Sequence, residues 1–294
     1  MSAVRHHFVP QGFLRGFAAE DDVQSRSFVW VYDKQANRAP RKKSVRSIAW
    51  APAYYAQERE DGSADLDSLE KTLATTIDNK VPVILQRLKP EVGRSLALSE
   101  EDKGALAFFV GLSLTRVPSF RDGINDLHSR IAQVVLSREM DKDSKLAEVV
   151  EKFQVKAIAK PWVSLEPMVQ LARAVATSAL QKQWQFYLAP PEVALATSDN
   201  PVVFSGAAAG LKELGPAHPG AELMMNIRKD LSLVCTPKEG YQSMRVFALS
   251  PVEARKFNRG VVRAARQRVF ASHYSPEFDS FVKKYAEDEQ RVVS

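Results

Sequence analysis

The sequence predicts an α+β fold: an N-terminal β element (1–60), a long helical middle (63–182), and a late antiparallel sheet with closing C-terminal helices (184–294). Two observations predict this order. Apolar residues recur at steps of three and four through the middle of the chain, whereas β-branched and aromatic runs lie on either side of it. Polar motifs near the two ends are expected to meet, which predicts a single compact domain over 1–294.

Composition limits the class of protein. The chain has 294 residues, of which 45% are apolar and 26% charged, and this excludes disordered, collagen-like and disulfide-stapled proteins. No apolar stretch reaches the roughly 18 to 20 residues of a membrane span. The single Cys235 and the absence of a signal-peptide pattern predict a cytosolic protein with no membrane partner. The net charge of +6 permits acidic partners but does not identify one.

The first predicted strand is FVWVY at 28–32, followed by turn residues at 33–37. Residues 38–46 are strongly basic. Such a segment is typically a solvated loop or an edge strand, and nucleic-acid contact is the alternative.

The helical middle begins with an apolar stripe from Leu66 to Leu88, after a variant capping box at Asp67 and Glu70. Pro82 should kink or divide this helix. A second helix is expected from the Ser99 cap to Arg116 and should be largely buried. Further helical patterns occupy 123–140, 142–158 and 164–182.

The late region is predicted to form strands at 184–189, 193–197, 201–204, 222–227 and 231–236. The segment 205–221 is expected to be a mobile connector or a loop that covers a site. A capping box at Ser250 and Glu253, with Pro251 at the first helical position, predicts a helix from 251 to about 267.

That last helix carries an arginine ridge, which is defined by four side chains on one helical face: Arg255, Arg259, Arg263 and Arg266. The opposite face is apolar and should pack on the core, so the ridge is expected to face solvent. A solvated face is the favoured interpretation, and a surface that binds nucleic-acid phosphates is the alternative.

Strong catalytic signatures are missing from the sequence. It contains no GxGxxG, GxxxxGK[ST], GxSxG, HExxH or EF-hand pattern, and one cysteine cannot form a cysteine-rich zinc site. Rossmann oxidoreductases, P-loop NTPases and α/β-hydrolases are therefore not the leading classes.

Two adjacent histidines, His6 and His7, are the first candidate catalytic residues. Neighbouring side chains of an extended segment point to opposite faces, so at most one should enter a site. An imidazole can act as a general base or bind a metal ion, whereas the alternative is a structural histidine.

The second candidate is the polar segment from Thr197 to Pro201 between two apolar runs. Its carboxylate and carboxamide, Asp199 and Asn200, either close a turn at the end of a strand or present ligands there. The third is Arg116, which either caps helical carbonyls or clamps a carboxylate or phosphate.

These motifs resemble those of a mostly bacterial family, the domain of unknown function 4238, whose members begin with H-x-V/I-P-Q-x-x-L-x-x-F. HHFVPQGFLRGF at 6–17 matches this opening. Further features agree in order: Tyr54-Tyr55, Glu70, Arg116 before Val-Pro, Trp184, Thr197-Ser-Asp-Asn-Pro201 and Asn258. One departure is Cys235-Thr-Pro237, where the family often has Leu-Ser-Pro. The resemblance spans most of the chain and implies no particular activity.

Polar residues that recur as family motifs are hard to explain by packing, because burying an unpartnered polar group costs about 1 to 3 kcal/mol. We therefore expect one site, with catalytic residues His6, His7, Arg116, Asp199 and Asn200, and with substrate-binding residues Gln11, Arg15, Ser198 and Asn258.

The hypothesis for function is a hydrolase, specifically a phosphodiesterase or nuclease of bacterial conflict or defence, acting with or without a divalent metal ion. Its partner would be nucleic acid or a phosphorylated small molecule. The first alternative is a non-catalytic module that binds nucleic acid or nucleotides through the arginine ridge. The second is a structural partner subunit with a buried polar network. The sequence leaves the oligomeric state open.

Overall fold

The computed structural model describes residues 4–19, 27–35, 37–206, 214–237 and 244–292. It confirms the α+β class, with strands near the N-terminus, a helical middle, late sheets and C-terminal helices. Part of the predicted connector at 205–221, residues 207–213, lies outside the described residues.

The N-terminal segment forms a short ribbon and a helical turn. Strand β1 (Arg5–His7) pairs antiparallel with β4 (Trp50–Pro52), with His6 opposite Ala51. Helix α1 (Gln11–Leu14) continues into a 3₁₀ turn at Arg15–Phe17. Strands β5 (Gln57–Glu58) and β6 (Ala64–Asp65) make a small hairpin beyond this ribbon.

A four-stranded sheet joins the two ends of the chain. Its order is β3-β2-β13-β8, comprising β3 (Arg41–Ser44), β2 (Phe28–Asp33), β13 (Arg268–Ala271) and β8 (Thr197–Ser198). The basic segment at 38–46 thus supplies an exposed edge strand, one of the two structures favoured for it. Because β2 pairs with β13, residues near the N-terminus and the C-terminus share one sheet.

The predicted strand at 193–197 is wrong over most of its length, since only Thr197–Ser198 is strand. Side-chain hydrogen bonds take the place of backbone pairing with a neighbouring strand here. Asn258 accepts the N–H of Ala196 at 2.8 Å and donates to the carbonyl of Ala194 at 3.0 Å. The backbone groups are therefore satisfied without a ladder.

The first predicted helix is divided, but before Pro82. Helix α2 (Ser68–Leu73) passes through a π-helical turn at Ala74–Asp78 into α3 (Lys80–Arg87). Pro82 lies in the first turn of α3, where its missing N–H is tolerated, so the interruption falls at the turn that precedes it. The Asp67 side chain makes no capping hydrogen bond, so the predicted capping-box variant is wrong.

The remaining helices of the middle are α4 (Glu100–Thr115), α5 (Pro118–Met140), α6 (Ser144–Phe153) and α7 (Leu165–Leu180). The Ser99 cap is confirmed, because its hydroxyl accepts the N–H of Asp102 at 3.1 Å. Helices α4 and α7 approach closely at Gly111, where an added Cβ would lie 2.2 Å from the carbonyl oxygen of Ala172.

The late sheet has the order β12-β7-β11-β10-β9. Its strands are β7 (Gln183–Leu188), β9 (Val202–Ser205), β10 (Glu222–Arg228), β11 (Leu231–Thr236) and β12 (Arg245–Ala248). It is antiparallel as predicted except that β12 runs parallel to β7. Strands β12 and β13 were not predicted, because each has four residues and depends on partners distant in sequence.

The C-terminal helices are α8 (Pro251–Ala264) and α9 (Pro276–Lys284). The capping box of Ser250 and Glu253 is confirmed. Helix α8 ends at Ala264 and not at 267, because the chain then turns into β13. Among the described residues, no helix is both long and apolar enough to cross a bilayer.

Candidate active site

The first site residue, His6, is fully buried on β1. Its Nδ1 accepts the N–H of Tyr55 at 2.9 Å, and its ring stacks on Tyr55 with centroids 5.6 Å apart. Since a backbone N–H can only donate, Nδ1 carries no proton and Nε2 does. That Nε2 is buried without a hydrogen-bond partner among the described residues. Burial lowers the His6 pKa, so the ring is a neutral donor.

His7 faces the other side of β1, as the alternation of a strand requires. Its Nδ1 lies 3.4 Å from the side-chain nitrogen of Gln11. Burial lowers the pKa of His7, although the nearby Arg46 carbonyl opposes this shift. Nε2 is buried and has no partner in hydrogen-bonding geometry within the described chain. His7 is thus a second neutral imidazole with an unused ring nitrogen.

Arg116 follows α4 and is 0% exposed. Its Nη1 donates to both carboxylate oxygens of Asp78, at 2.8 and 3.0 Å, and its guanidinium lies 5.3 Å from the Phe109 ring centroid. Nε and Nη2 are also buried, and no described residue accepts a hydrogen bond from either. Two donors of a buried cation are therefore without an acceptor among the described residues.

Glu70 completes the arrangement. Burial raises its pKa to about 7, Asp78 adds to the rise, and the backbone N–H of His7 and the charge of Arg116 oppose it. A carboxyl group with this pKa is a suitable acid or base near neutral pH. Glu70 is half-buried, so this residue is partly exposed to solvent.

We call these residues the histidine–arginine cluster: His6, His7, Gln11, Tyr55, Glu70, Asp78 and Arg116. Tyr55 connects the two histidines, because its N–H binds the His6 ring and its hydroxyl donates to the His7 carbonyl at 3.2 Å.

Close packing at Gly12 brings α1 against α3, since a Cβ there would lie 2.6 Å from Cγ of Pro82.

Asp199 lies elsewhere, in a separate network. One carboxylate oxygen accepts the N–H of Arg266, and the other accepts those of Gln267 and Arg268, all at 2.9 Å. Burial raises the Asp199 pKa to about 6, while these three amides lower it. The carboxylate thus fixes the turn from α8 into β13.

Neighbours of Asp199 also bind backbone groups, although the carboxamide oxygen of Asn200 is buried without a partner among the described residues. Asn200 donates to the carbonyls of Ala264 and Gln290 at 3.0 and 2.9 Å, and Ser198 donates to the Asn200 carbonyl at 2.8 Å. Asn258 holds the 194–196 backbone as described above. We call Ser198, Asp199, Asn200 and Asn258 the strand-end network. Its contacts favour the structural alternative for this motif.

The expected single site therefore separates into two groups. The structure brings His6, His7, Gln11 and Arg116 together, and it places the strand-end network around α8 and β13. Hydrogen bonds and ion pairs among the described residues do not join the two groups. Arg15 is exposed in the 3₁₀ turn and belongs to neither.

The arginine ridge is shorter than expected. Arg255, Arg259 and Arg263 are exposed on α8, but Arg266 follows the helix and is half-buried, so the expectation of exposure is wrong for it. Arg266 lies beyond the end of α8, outside the row of exposed arginines, and donates to Asp122 at 2.5 Å. Arg263 pairs with Asp288 at 2.5 Å. Half of the ridge is therefore neutralised by carboxylates.

Sequence reasoning missed Asp78 and did not place Glu70 in the site. The contact between Arg116 and Asp78 spans 38 residues. A buried arginine needs hydrogen-bond acceptors, and a carboxylate is one of them, but nothing in the local sequence distinguishes Asp78 from the neighbouring acids. No group of three or more His, Cys, Asp or Glu suited to a metal ion occurs among the described residues.

The cluster has the residue types of an acid–base site with an anion clamp. The chain that carries it belongs to the family described as protein of unknown function, DUF4238, whose model matches residues 5–275 and confirms the resemblance. Neither the curated proteins nor the solved structures contain a match to this chain.

Proposed function

We propose that this protein is a hydrolase of phosphodiesters or related esters and that the histidine–arginine cluster is its active site. The observation that carries the proposal is Arg116, a fully buried guanidinium whose Nε and Nη2 have no acceptor among the described residues. Guanidinium groups bind phosphate oxygens in a fork, and preorganised donors stabilise the negative charge of a transition state.

Glu70 is the proposed general base. With a pKa of about 7, a substantial fraction is ionised at neutral pH and can accept a proton from an attacking water. Asp78 is not available for this role because both of its oxygens accept from Arg116. Its contribution is to hold the guanidinium in one orientation.

The two histidines have different proposed roles. His6 donates from Nε2, because its Nδ1 already accepts a backbone N–H, so it supports an oxyanion and does not serve as base. His7 stays neutral because burial lowers its pKa, so its proposed role is to donate a hydrogen bond to the leaving-group oxygen from the ring nitrogen that has no partner among the described residues. The proton that Glu70 accepts from the attacking water then passes to the leaving group. A divalent metal ion, if used, would bind through His7 or Glu70.

The experiment is a substrate screen followed by matched variants. Purified protein is assayed against bis(p-nitrophenyl) phosphate, single-stranded DNA, RNA and cyclic nucleotides with Mg²⁺, Mn²⁺ or Zn²⁺. Arg116→Lys keeps the charge and the contact to Asp78 but removes the fork. We expect it to lower turnover by about 10² to 10³-fold, as the loss of an oxyanion donor does.

Arg130→Lys and Glu148→Gln are the controls, since both residues are exposed on the helical middle. They should leave turnover unchanged, whereas Glu70→Gln should reduce it strongly. Full turnover in Arg116→Lys, or inactivity of the native protein toward every substrate, would contradict the proposal. Inactivity would favour a structural subunit.

We also propose that the protein acts in the cytosol on nucleic acid or on a phosphorylated small molecule. The net charge of +6 and the basic edge strand β3 support an anionic substrate.

A further inference from the structure

A second candidate site lies between α8 and α9. A cavity of about 560 Å³ is bounded there by the two helices, the segment before β8, and the strands β2 and β13. This volume is within the range of small-molecule pockets, about 300 to 1,000 Å³. None of its lining residues belongs to the histidine–arginine cluster.

One wall of the cavity is cationic. Arg255 and Arg259 are one helical turn apart on α8 and both line it. Among the described residues, neither forms an ion pair, in contrast to Arg263 and Arg266 farther along the chain. Two guanidiniums at this spacing can grip one phosphate or carboxylate group together.

Another part of the lining is aromatic. Phe278 and Phe281 of α9 line the cavity with ring centroids 6.1 Å apart and an interplanar angle of 21°. Tyr32 packs against Phe278 edge to face at 5.0 Å, and its hydroxyl is held by the His273 carbonyl and the Ser275 N–H. A planar ring system fits such a surface by stacking.

Two carboxylates and an imidazole add polar groups at the rim. Glu192, Glu277 and His273 are exposed side chains that line the cavity. Carboxylates accept hydrogen bonds from the amino groups of nitrogen heterocycles and from sugar hydroxyls. The lining therefore combines an anion clamp, a stacking surface and acceptors for N–H and O–H donors.

We infer that this cavity binds a nucleoside monophosphate, with the phosphate on Arg255 and Arg259 and the base against Phe278 and Phe281. The combination selects this class, because a simple anion would leave the aromatic wall unused and an uncharged aromatic would leave the guanidiniums unused. An extended nucleic acid would need a longer run of unpaired cations, and Arg263 and Arg266 are already paired.

The test is isothermal titration calorimetry of the full chain with AMP, GMP, CMP and UMP, and with adenosine, inorganic phosphate and a 20-nucleotide DNA strand. We expect at least one monophosphate to bind tighter than phosphate and than its nucleoside by about tenfold or more, since a charge-assisted contact has roughly this effect. The double variant R255Q/R259Q should lose that binding.

The matched control is Lys256→Gln, which removes a positive charge from the same helix at an exposed residue that does not line the cavity. It should retain the native affinity. Phe281→Leu should weaken AMP more than inorganic phosphate, and circular dichroism verifies that each variant folds.

Three results would overturn the inference. Equal affinity for AMP and inorganic phosphate would indicate a plain anion site. Tighter binding of the 20-nucleotide strand than of every monophosphate, or an affinity that falls equally in Lys256→Gln and R255Q/R259Q, would indicate a nucleic-acid surface. No heat with any monophosphate would exclude the nucleotide class. Arg116→Lys should leave the affinity unchanged, so failure of the proposed hydrolase and failure of this site are distinguishable.

Discussion

The histidine–arginine cluster and the strand-end network both contain buried polar residues from the family's motifs, yet they differ in which hydrogen-bonding groups are left unused. The carboxylate of Asp199 accepts three backbone amides. In the cluster, Arg116 keeps two buried donors without an acceptor among the described residues, and each histidine keeps one ring nitrogen. Asn200 of the strand-end network also keeps one atom without a partner among the described residues, its carboxamide Oδ1, so the feature that marks the candidate site is a buried cation with unused donors, and not burial or an unpartnered polar atom alone.

Two buried arginines that are close in the sequence also differ in how many of their hydrogen-bond donors are used. Arg121 lies five residues after Arg116, and its guanidinium is fully engaged: Nε donates to the Ser164 hydroxyl and Nη2 to the Pro161 carbonyl, both at 2.8 Å, and Nη1 donates to the Tyr54 carbonyl. Arg121 therefore ties α5 to the chain around it. Arg116 has the same chemistry but only one nitrogen in use.

The largest expected effect is that of Asp199→Ala on stability. The change leaves the N–H groups of Arg266, Gln267 and Arg268 without their acceptor, so the free energy of unfolding should fall by about 3 to 5 kcal/mol. Urea denaturation followed by circular dichroism measures it.

Asp126→Ala is the control for that variant, because Asp126 is exposed on α5. It should change the stability little. Native stability combined with loss of hydrolysis in Asp199→Ala would instead return Asp199 to a catalytic role and restore the single-site hypothesis.

The second effect compares the two arginines by the same substitution. Arg121→Lys removes at least two hydrogen bonds to buried acceptors and should lower the free energy of unfolding by about 2 to 3 kcal/mol. Arg116→Lys, which can keep its contact to Asp78, should cost less stability and more activity. A larger loss of stability in Arg116→Lys would place both arginines in the structural class.

Local signals predicted the elements that local chemistry determines. The Ser99 cap and the Ser250–Glu253 capping box placed the starts of α4 and α8, and the aromatic run at 28–32 placed β2. The sequence did not predict β12 and β13, whose four-residue strands exist because a partner lies beside them.

The sequence likewise predicted only part of the candidate site. Motif residues identified His6, His7, Gln11 and Arg116, but the two acids that surround Arg116 come from α2 and the π-helical turn. Helix α1 packs against that turn, since a Cβ at Gly12 would lie 3.4 Å from the carbonyl oxygen of Asp78, and a contact between such distant segments is tertiary information. The grouping of Asp199 with the histidines relied on shared motif status, and motif status also marks residues that hold a fold together.

A third prediction concerns pH and separates Glu70 from the strand-end network. The pKa of Glu70 in the folded protein, about 7, exceeds the ordinary value of 4.5. Between these pH values the folded state therefore binds more protons than the unfolded state, and the free energy of unfolding falls as pH rises. Glu70→Gln removes this titration. Relative to the native protein, the variant should gain stability by about 1 to 3 kcal/mol between pH 4 and pH 8.

The pH profile of turnover gives the same residue a second readout. If Glu70 is the base, native turnover should rise with pH through a midpoint near 7, and that limb should be missing from the residual activity of Glu70→Gln. Parallel stability curves for the two proteins, or an unchanged rising limb in the variant, would remove Glu70 from the proposed mechanism.

The smallest expected effect belongs to the surface beside the strand-end network, where Arg263 pairs with Asp288. Both side chains are substantially exposed, 60% and 36%, so water screens the pair. Arg263→Gln should change the free energy of unfolding by less than about 1 kcal/mol. Lys34, which is buried and donates to backbone carbonyls of Ala265 and Asp288, provides the contrasting case, because Lys34→Met leaves those carbonyls without a donor. Parallel urea titrations compare the loss of unfolding free energy in Arg263→Gln and Lys34→Met. Equal losses would mean that ion pairing, and not the satisfaction of buried hydrogen-bonding groups, stabilises this part of the fold. The contrast drawn between the two polar groups would then be wrong.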